Sequence, residues 1–178
     1  PPRRFLYVSS TSVYGQADGS WVDEVSPTAP VEENGKILLE AESLLRSALP
    51  EAVVLRFAGI YGPGRMIRRA AIEKGEPLIG DFDKVINLIH VDEGARAVLA
   101  AEAQAAPGAT YLIADGQPVT RRDFYTSMAD LLHAPPPRFE PSDAAERTNR
   151  RVSNRRMLEE LGVSLDFPSY RQGLAASL

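Results

Sequence analysis

A chain of 178 residues, 44% hydrophobic and 25% charged, is long enough for one domain with a sizeable core, and its composition is ordinary for a soluble globular protein, so disorder is not the default. A formal net charge of −4 removes the electrostatic footprint that nonspecific nucleic-acid binding needs, and no stretch nears the roughly 20 apolar residues of a membrane span. Without cysteine there are no disulfides, thiolate metal sites or cysteine nucleophiles, which suits a reducing compartment and a cytoplasmic location.

The first apolar run, Phe5-Leu6-Tyr7-Val8, reads as a buried strand that starts almost at once, so further strands are expected before it. It empties into Ser9-Ser10-Thr11-Ser12. In open α/β sheets the carboxyl end of a strand is where ligands bind, and a hydroxyl there can meet a substrate oxygen or cap its own turn. From Glu32 to Leu49, apolar residues at Ile37, Leu38, Ala41, Leu44, Leu45, Ala48 and Leu49 recur at helical spacing, which predicts a one-sided helix with Leu39 off the main face. Strands follow at Val53–Phe57, Leu88–Val91 and Tyr111–Ala114. Helices are expected at Met66–Lys74, Asp92–Ala106 with Asp92 as N-cap, Thr120–Leu132 with Thr120 as cap, and Ser153–Leu161 stopped by Gly162.

Strands alternating with helices predict an α/β fold with a mostly parallel sheet. Pro135-Pro136-Pro137 breaks the preceding helix, which divides the chain into residues 1–134 and a small carboxyl-terminal subdomain at 135–178. Arg147, Arg150, Arg151, Arg155 and Arg156 crowd together near the end. Such a run is a solvated face or a seat for phosphate or carboxylate.

Four ordered segments carry a family resemblance. Ser9-Ser10-Thr11-Ser12-Val13-Tyr14-Gly15 after an apolar strand is similar to the segment bearing the active-site Ser or Thr of the extended short-chain dehydrogenase/reductases, the NAD-dependent epimerase/dehydratase group, with Ser10 at the matching position. Val54-Leu55-Arg56-Phe57-Ala58-Gly59-Ile60-Tyr61-Gly62-Pro63-Gly64 resembles that family's strand and loop bordering the nicotinamide. Ile89-His90-Val91-Asp92 resembles its His-Val-Asp helix start, and Phe167-Pro168-Ser169-Tyr170-Arg171-Gln172-Gly173-Leu174 a terminal segment of some members. The resemblance implies a Rossmann-like doubly wound parallel sheet, incomplete because its amino-terminal strands and glycine-rich pyrophosphate turn are missing, with NAD or NADP as cofactor. Gly59, Gly62 and Gly64 do not replace that turn, because their spacing is reversed and no acidic ribose partner follows; a tight turn at the pocket rim is expected there.

Three departures qualify the resemblance. Family members use Tyr-x-x-x-Lys, in which tyrosine moves a proton and lysine binds the ribose. Here Glu32-Glu33-Asn34-Gly35-Lys36, followed by Glu40, aligns Lys36 with the lysine and puts Glu32 where the tyrosine would be. Glu32 is then a rung of a solvent-facing Glu32–Lys36–Glu40 ladder, a carboxyl acid/base, or a residue of a site that binds cofactor without hydride chemistry. Ile86 stands where nucleotide-sugar epimerases tend to have an arginine for the diphosphate, although Arg65 or the late arginines could substitute. His90, in an apolar run, is expected to be structural, and His90 and His133 are too isolated for a metal site.

The resemblance therefore implies an atypical NAD(P)-dependent oxidoreductase or epimerase/dehydratase acting on a sugar-like or other carbonyl or hydroxyl substrate. Its catalytic candidates are Ser10, Lys36 and Glu32; its cofactor contacts Ser9, Lys36, Phe57, Gly59 and Ile60; its substrate contacts Thr11, Tyr14, Arg65 and Asn87. The alternative is a dinucleotide-binding sensor or scaffold without turnover. The expected partner is a small molecule, with no nucleic acid, no membrane, and a homodimer through the helix at 32–49.

Overall fold

The computed structural model describes residues 4–142 and 148–178. Its centre is a three-stranded parallel sheet in the order β1 (Leu6–Ser10), β3 (Val53–Phe57), β8 (Thr110–Ile113). Leu6 to Ser10 pair with Val53 to Phe57, and Val54 to Phe57 with Thr110 to Ile113. Parallel neighbours need a crossover, and the helix α1 (Glu33–Ala48) supplies the one between β1 and β3. Every residue of β3 is buried because both faces of the sheet are covered, which is why this strand reads as an unbroken apolar run around Arg56.

The pleat sorts the two layers. Val53, Leu55, Phe57, Tyr111 and Ile113 point to one face, against α3 (Val91–Gln104) and α5 (Arg155–Leu161) through Ala97, Ala101, Met157 and Leu161. Leu112 and Ala114 point to the other, with Val13, Tyr14 and Val22 of the segment after β1 and with Leu38 and Leu39 of α1. Helices on both faces make the sheet doubly wound, as the resemblance implied.

The sheet's two edges are finished differently. Outside β8, the Leu112 N–H donates to Glu24 (2.9 Å), the Thr110 carbonyl accepts from Arg156 (3.2 Å) and the Ala114 carbonyl accepts from Asn154 (3.0 Å). At β1, Phe5 and Val8 are exposed, and among the described residues no side chain caps the outer backbone.

α1 departs from its expected face. Ile37 and Leu44 are exposed (56% and 66%), and Leu39, expected off the face, packs half-buried on the core. The helix instead buries Glu42, because Arg56 lies inside the sheet and a buried guanidinium needs a carboxylate.

A second core gathers Tyr61, Ile72, Leu78, Phe82, Phe124, Tyr125, Met128, Tyr170 and Leu174. Its framework is α2 (Arg69–Glu73), α4 (Arg121–Leu131) and α6 (Tyr170–Ser177). Two-stranded ladders tie it down: β4 (Gly59–Tyr61) with β7 (Leu88–His90), β5 (Leu78–Ile79) with β10 (Phe139–Glu140), and β6 (Val85–Ile86) with β9 (Val119–Thr120). A further ladder joins β2 (Trp21–Val22) to β11 (Arg151–Val152) beside the main sheet. The residues after 134 are thus divided, α5 lying on the sheet and α6 in the second core. Thr120 caps α4 and Gly162, at φ 61°, ends α5, as their residue types require, but the N-cap of α3 is His90 rather than Asp92.

Candidate functional site

The carboxyl end of β1 is built on a buried polar network. Glu42 takes two bonds from Arg56 (3.0 and 2.7 Å) and one from the Ser9 hydroxyl (2.7 Å). Arg56 also donates to the Tyr14 hydroxyl (2.7 Å), which donates to the Asp23 carbonyl (2.8 Å). Burial works against the Arg56 charge, but the bonds to Glu42 and the Tyr14 hydroxyl outweigh it and raise its pKa; burial also raises that of Tyr14. Ser9 and Tyr14 are therefore committed to this network, and both are buried. Ser10 is half-exposed, and its Oγ accepts from the Ser12 N–H (3.1 Å) as the cap of the 3-10 turn at Thr11–Val13.

Beyond that turn opens a cavity of about 540 Å³ between β4, β6, β7 and α4. Three substrate candidates, Thr11, Arg65 and Asn87, line it together with Gly59 and Ile60. Its charge is one-sided. Arg65, Arg68, Lys84, Arg121 and Arg150 line it, and among the described residues no carboxylate does. Arg65 sits on the tight turn that the glycines were expected to make: its N–H bonds the Gly62 carbonyl (2.9 Å), and Gly64 has φ 72°. Arg68 is held at φ 65°, a left-handed conformation rare for a side-chain-bearing residue, and donates to the Ile79 carbonyl (3.1 Å).

Arg150 is the least compensated of these cations. It donates to the Thr11 carbonyl (2.7 Å), its Nε is buried without a partner, and burial lowers its pKa. Asn87 holds it there, donating to the Arg150 carbonyl (2.9 Å) and accepting from the Val152 N–H (2.7 Å). Of the other late arginines, Arg155 and Arg156 pair with Glu159 and Glu160, Arg151 bonds the Gly19 carbonyl, and Arg147 lies outside the described residues.

Glu32 and Lys36 are not brought to this cavity. Glu32 is the exposed N-cap of α1, and the side chain of Lys36, 57% exposed, pairs with Glu33 (3.4 Å) and makes no bond with Ser10. The expected Glu32–Lys36 rung is absent. Phe57 is also reassigned: it is core, its ring against Gly94, where a Cβ would come within 2.9 Å. His90 is structural as expected, 1% exposed, with Ser177 at 3.0 Å and the Asp92 N–H donating to its Nδ1 (3.3 Å).

Two buried oxygens near this region lack partners, those of Tyr61 and Asp115 Oδ2. Desolvation lifts Asp115 to about 7, against the bond it accepts from the Gln117 N–H. Among the described residues no group of three His, Asp or Glu could hold a metal, and no helix is long and apolar enough to cross a membrane.

The sequence did not single out Arg68, Lys84, Arg121 or, individually, Arg150. They come from four separate segments, and only Arg150 stood in a visible cluster.

Fold and site together define an α/β protein with a cavity beyond the carboxyl ends of its parallel strands. The model of the NAD dependent epimerase/dehydratase family matches residues 1–114, and the chain belongs to that family. It is 34% identical over 166 residues to Protein YeeZ of Escherichia coli K12, covering 93% of this chain and 59% of that protein. A 3-diazoavenalumate denitrifying reductase of Streptomyces is 30% identical over 78% of this chain and 51% of its own length. The solved structure of a functionally unknown conserved protein from Silicibacter pomeroyi superposes with a TM-score of 0.90 at 37% identity, over 98% of this chain and 65% of that one. This chain thus spans between about half and two thirds of the length of these relatives.

The described residues fit one end of a nicotinamide dinucleotide. Ser10 offers a half-exposed hydroxyl at the end of β1, and Gly59 and Ile60 line the cavity beyond it. The pyrophosphate finds no seat: the Gly62–Arg65 turn is closed on itself, and a Cβ at Gly62 would come within 2.6 Å of Val91.

Proposed function

We propose that this chain forms the substrate-binding part of a NAD(P)-dependent oxidoreductase or epimerase/dehydratase whose substrate is a small molecule bearing a negatively charged group. The cavity carries the reading: Arg65, Arg68 and Arg150 line it with the Asn87 amide and the Thr11 hydroxyl, and the Nε of Arg150 is buried there with no hydrogen-bond partner. An anion there recovers the interaction that the desolvated Arg150 guanidinium lacks. The nicotinamide, when bound, supplies or takes up a hydride. Ser10 and Thr11 orient the substrate oxygen at the mouth of β1, and Asn87 positions Arg150. The turn that holds the pyrophosphate lies outside these residues, and strands of that same part cover the open edge of β1.

The test is ligand protection of the full-length protein. Inorganic pyrophosphate and malonate should each raise the melting temperature, and Arg150→Met should abolish most of that rise while leaving the unliganded protein folded. Equal protection in wild type and Arg150→Met would sink the assignment.

A second reading is a dinucleotide-binding sensor or scaffold. It is favoured by the absence of tyrosine from α1 and by the exposure of Glu32. It predicts NADH or NADPH binding with no turnover of any carbonyl or sugar substrate, and little effect of Glu32→Gln on either. A homodimer through α1 would bury Ile37 and Leu44 rather than Leu39.

A further inference from the structure

We propose that the cavity takes a small monoanion with a hydrocarbon body, its charge at Arg150 and its body against Phe82, Leu88, Phe124 and Tyr125, rather than a nucleotide sugar. The inference deepens the preceding reading and rests on it, because that reading seats an anion at Arg150.

The cations of the cavity differ in what an anion gains from each. Arg65 and Arg68 are exposed on the rim, and each already donates to a backbone carbonyl, of Ile60 (3.1 Å) and of Ile79 (3.1 Å). An ion pair made there stays solvated and contributes little. Lys84 and Arg121 are engaged with the Thr148 hydroxyl (3.4 Å) and the Asp81 carbonyl (3.4 Å). Arg150 is the one whose water is not fully replaced, since its Nε is buried without a partner. A single anionic group at Arg150 therefore meets the strongest electrostatic demand of the cavity.

Much of the remaining wall suits a body that makes no hydrogen bonds. Leu88 comes from β7, Phe124 and Tyr125 from α4, and Phe82 from the segment between β5 and β6. All four are buried in the second core and still border the cavity. Their rings are packed edge to face, Phe82 against Tyr125 at 6.3 Å and Phe124 against Tyr125 at 5.5 Å between centroids, which makes the wall rigid. Ile60 and Ile86 extend it, and Ile67, between the two rim arginines, is exposed at the mouth. An apolar body entering there covers Ile67 and displaces water from the wall, which is favourable in proportion to the apolar area removed from water.

A sugar fits this lining poorly. Each of its hydroxyls would lose water and need a partner, and an unmet one costs more than a met one contributes. Asn87 is turned to the backbone at 150 and 152, and the Thr148 hydroxyl accepts from Lys84. Among the described residues that leaves few uncharged donors and acceptors for a polyol, the Thr11 hydroxyl chief among them.

Four probes separate the parts. Propanoate carries the charge alone, 3-phenylpropanoate the charge and a ring, 3-phenyl-1-propanol the ring alone, and UDP-glucose is the nucleotide sugar. Binding of each to the full-length protein would be measured calorimetrically, with and without NADH or NADPH. 3-Phenylpropanoate should bind at least about tenfold more tightly than propanoate, which needs only about 60 Å² of apolar surface to leave water. It should exceed the alcohol and UDP-glucose by about tenfold or more as well. Ile67→Ser, a change at an exposed position, should weaken 3-phenylpropanoate about two- to fivefold and leave propanoate within about twofold. Propanoate and 3-phenylpropanoate binding alike, or UDP-glucose binding more tightly than either, overturns this inference and leaves the anion reading standing. The alcohol binding as tightly as 3-phenylpropanoate, or failure of every anion, malonate and pyrophosphate included, overturns the reading beneath it as well.

Discussion

Arg56 and Arg150 are both desolvated by burial, and on opposite terms. Arg56 meets a bidentate carboxylate, a tyrosine hydroxyl and the face of that tyrosine ring at 5.1 Å, so every direction in which it loses water is filled by protein. Arg150 meets one carbonyl, and its Nε points into buried space with nothing to receive it. The first is a structural cation whose partner is built in; the Nε of the second has no such partner, which the proposed anion would supply. The same contrast separates the Glu42 layer beneath Ser10 from the basic cavity beyond it.

The largest expected effect comes from breaking the completed pair. Glu42→Gln strands a buried guanidinium and should cost about 3 to 5 kcal/mol in urea denaturation. Replacing both partners together, Glu42→Leu with Arg56→Met, should recover much of that loss. A single-variant cost under about 1 kcal/mol would mean that the pair does not hold α1 to the sheet.

Asp115 sharpens the comparison from the acidic side, as a carboxylate buried with one oxygen unpaired. Its native value near 7 lies above the unfolded value of 3.8, so between those values the native state keeps a proton that the unfolded state has lost. Stability should therefore fall as pH rises from about 4 to 7, by at most about 4 kcal/mol at 1.36 kcal/mol per unit, and the deficit should be complete above that window. Asp115→Asn keeps an acceptor for the Gln117 N–H and removes the charge. It should be more stable than wild type at pH 8 and nearly equal to it at pH 4, and parallel pH profiles would refute this.

Arg150→Met should change the stability of the ligand-free protein by less than about 1 kcal/mol, because the bond to the Thr11 carbonyl is exchanged for relief of an uncompensated burial. A cost like that of Glu42→Gln would erase the distinction between the two arginines. Smallest of all, Lys36→Ala should cost at most about 0.5 kcal/mol, since its pair with Glu33 is solvated.

The strands were legible because their signal is local. Val53–Phe57 is bounded as expected, and the apolar runs at Leu88 and Tyr111 needed only end corrections. The face of α1 was not, because its direction is set by Glu42 meeting Arg56, and an apolar periodicity has no place for a buried glutamate. The motif around Ser10 was readable as a strand end, yet the sequence could not show that Ser9 and Tyr14 are consumed by that same pair. Most of the cavity was invisible for a related reason. Its cations at 65, 68, 84, 121 and 150 converge only after the second core folds, and Arg68 adopts a backbone conformation that nothing in its neighbours announces.

The side chains that finish the outer edge of β8 also give the sheet a polarity. Glu24, Asn154 and Arg156 occupy backbone groups that a strand added beside β8 would need, whereas among the described residues the outer backbone of β1 has no such side chains. Growth of the sheet is therefore directional: Glu24, Asn154 and Arg156 make the β8 side a rim, and the ladder of free backbone groups lies on the β1 side.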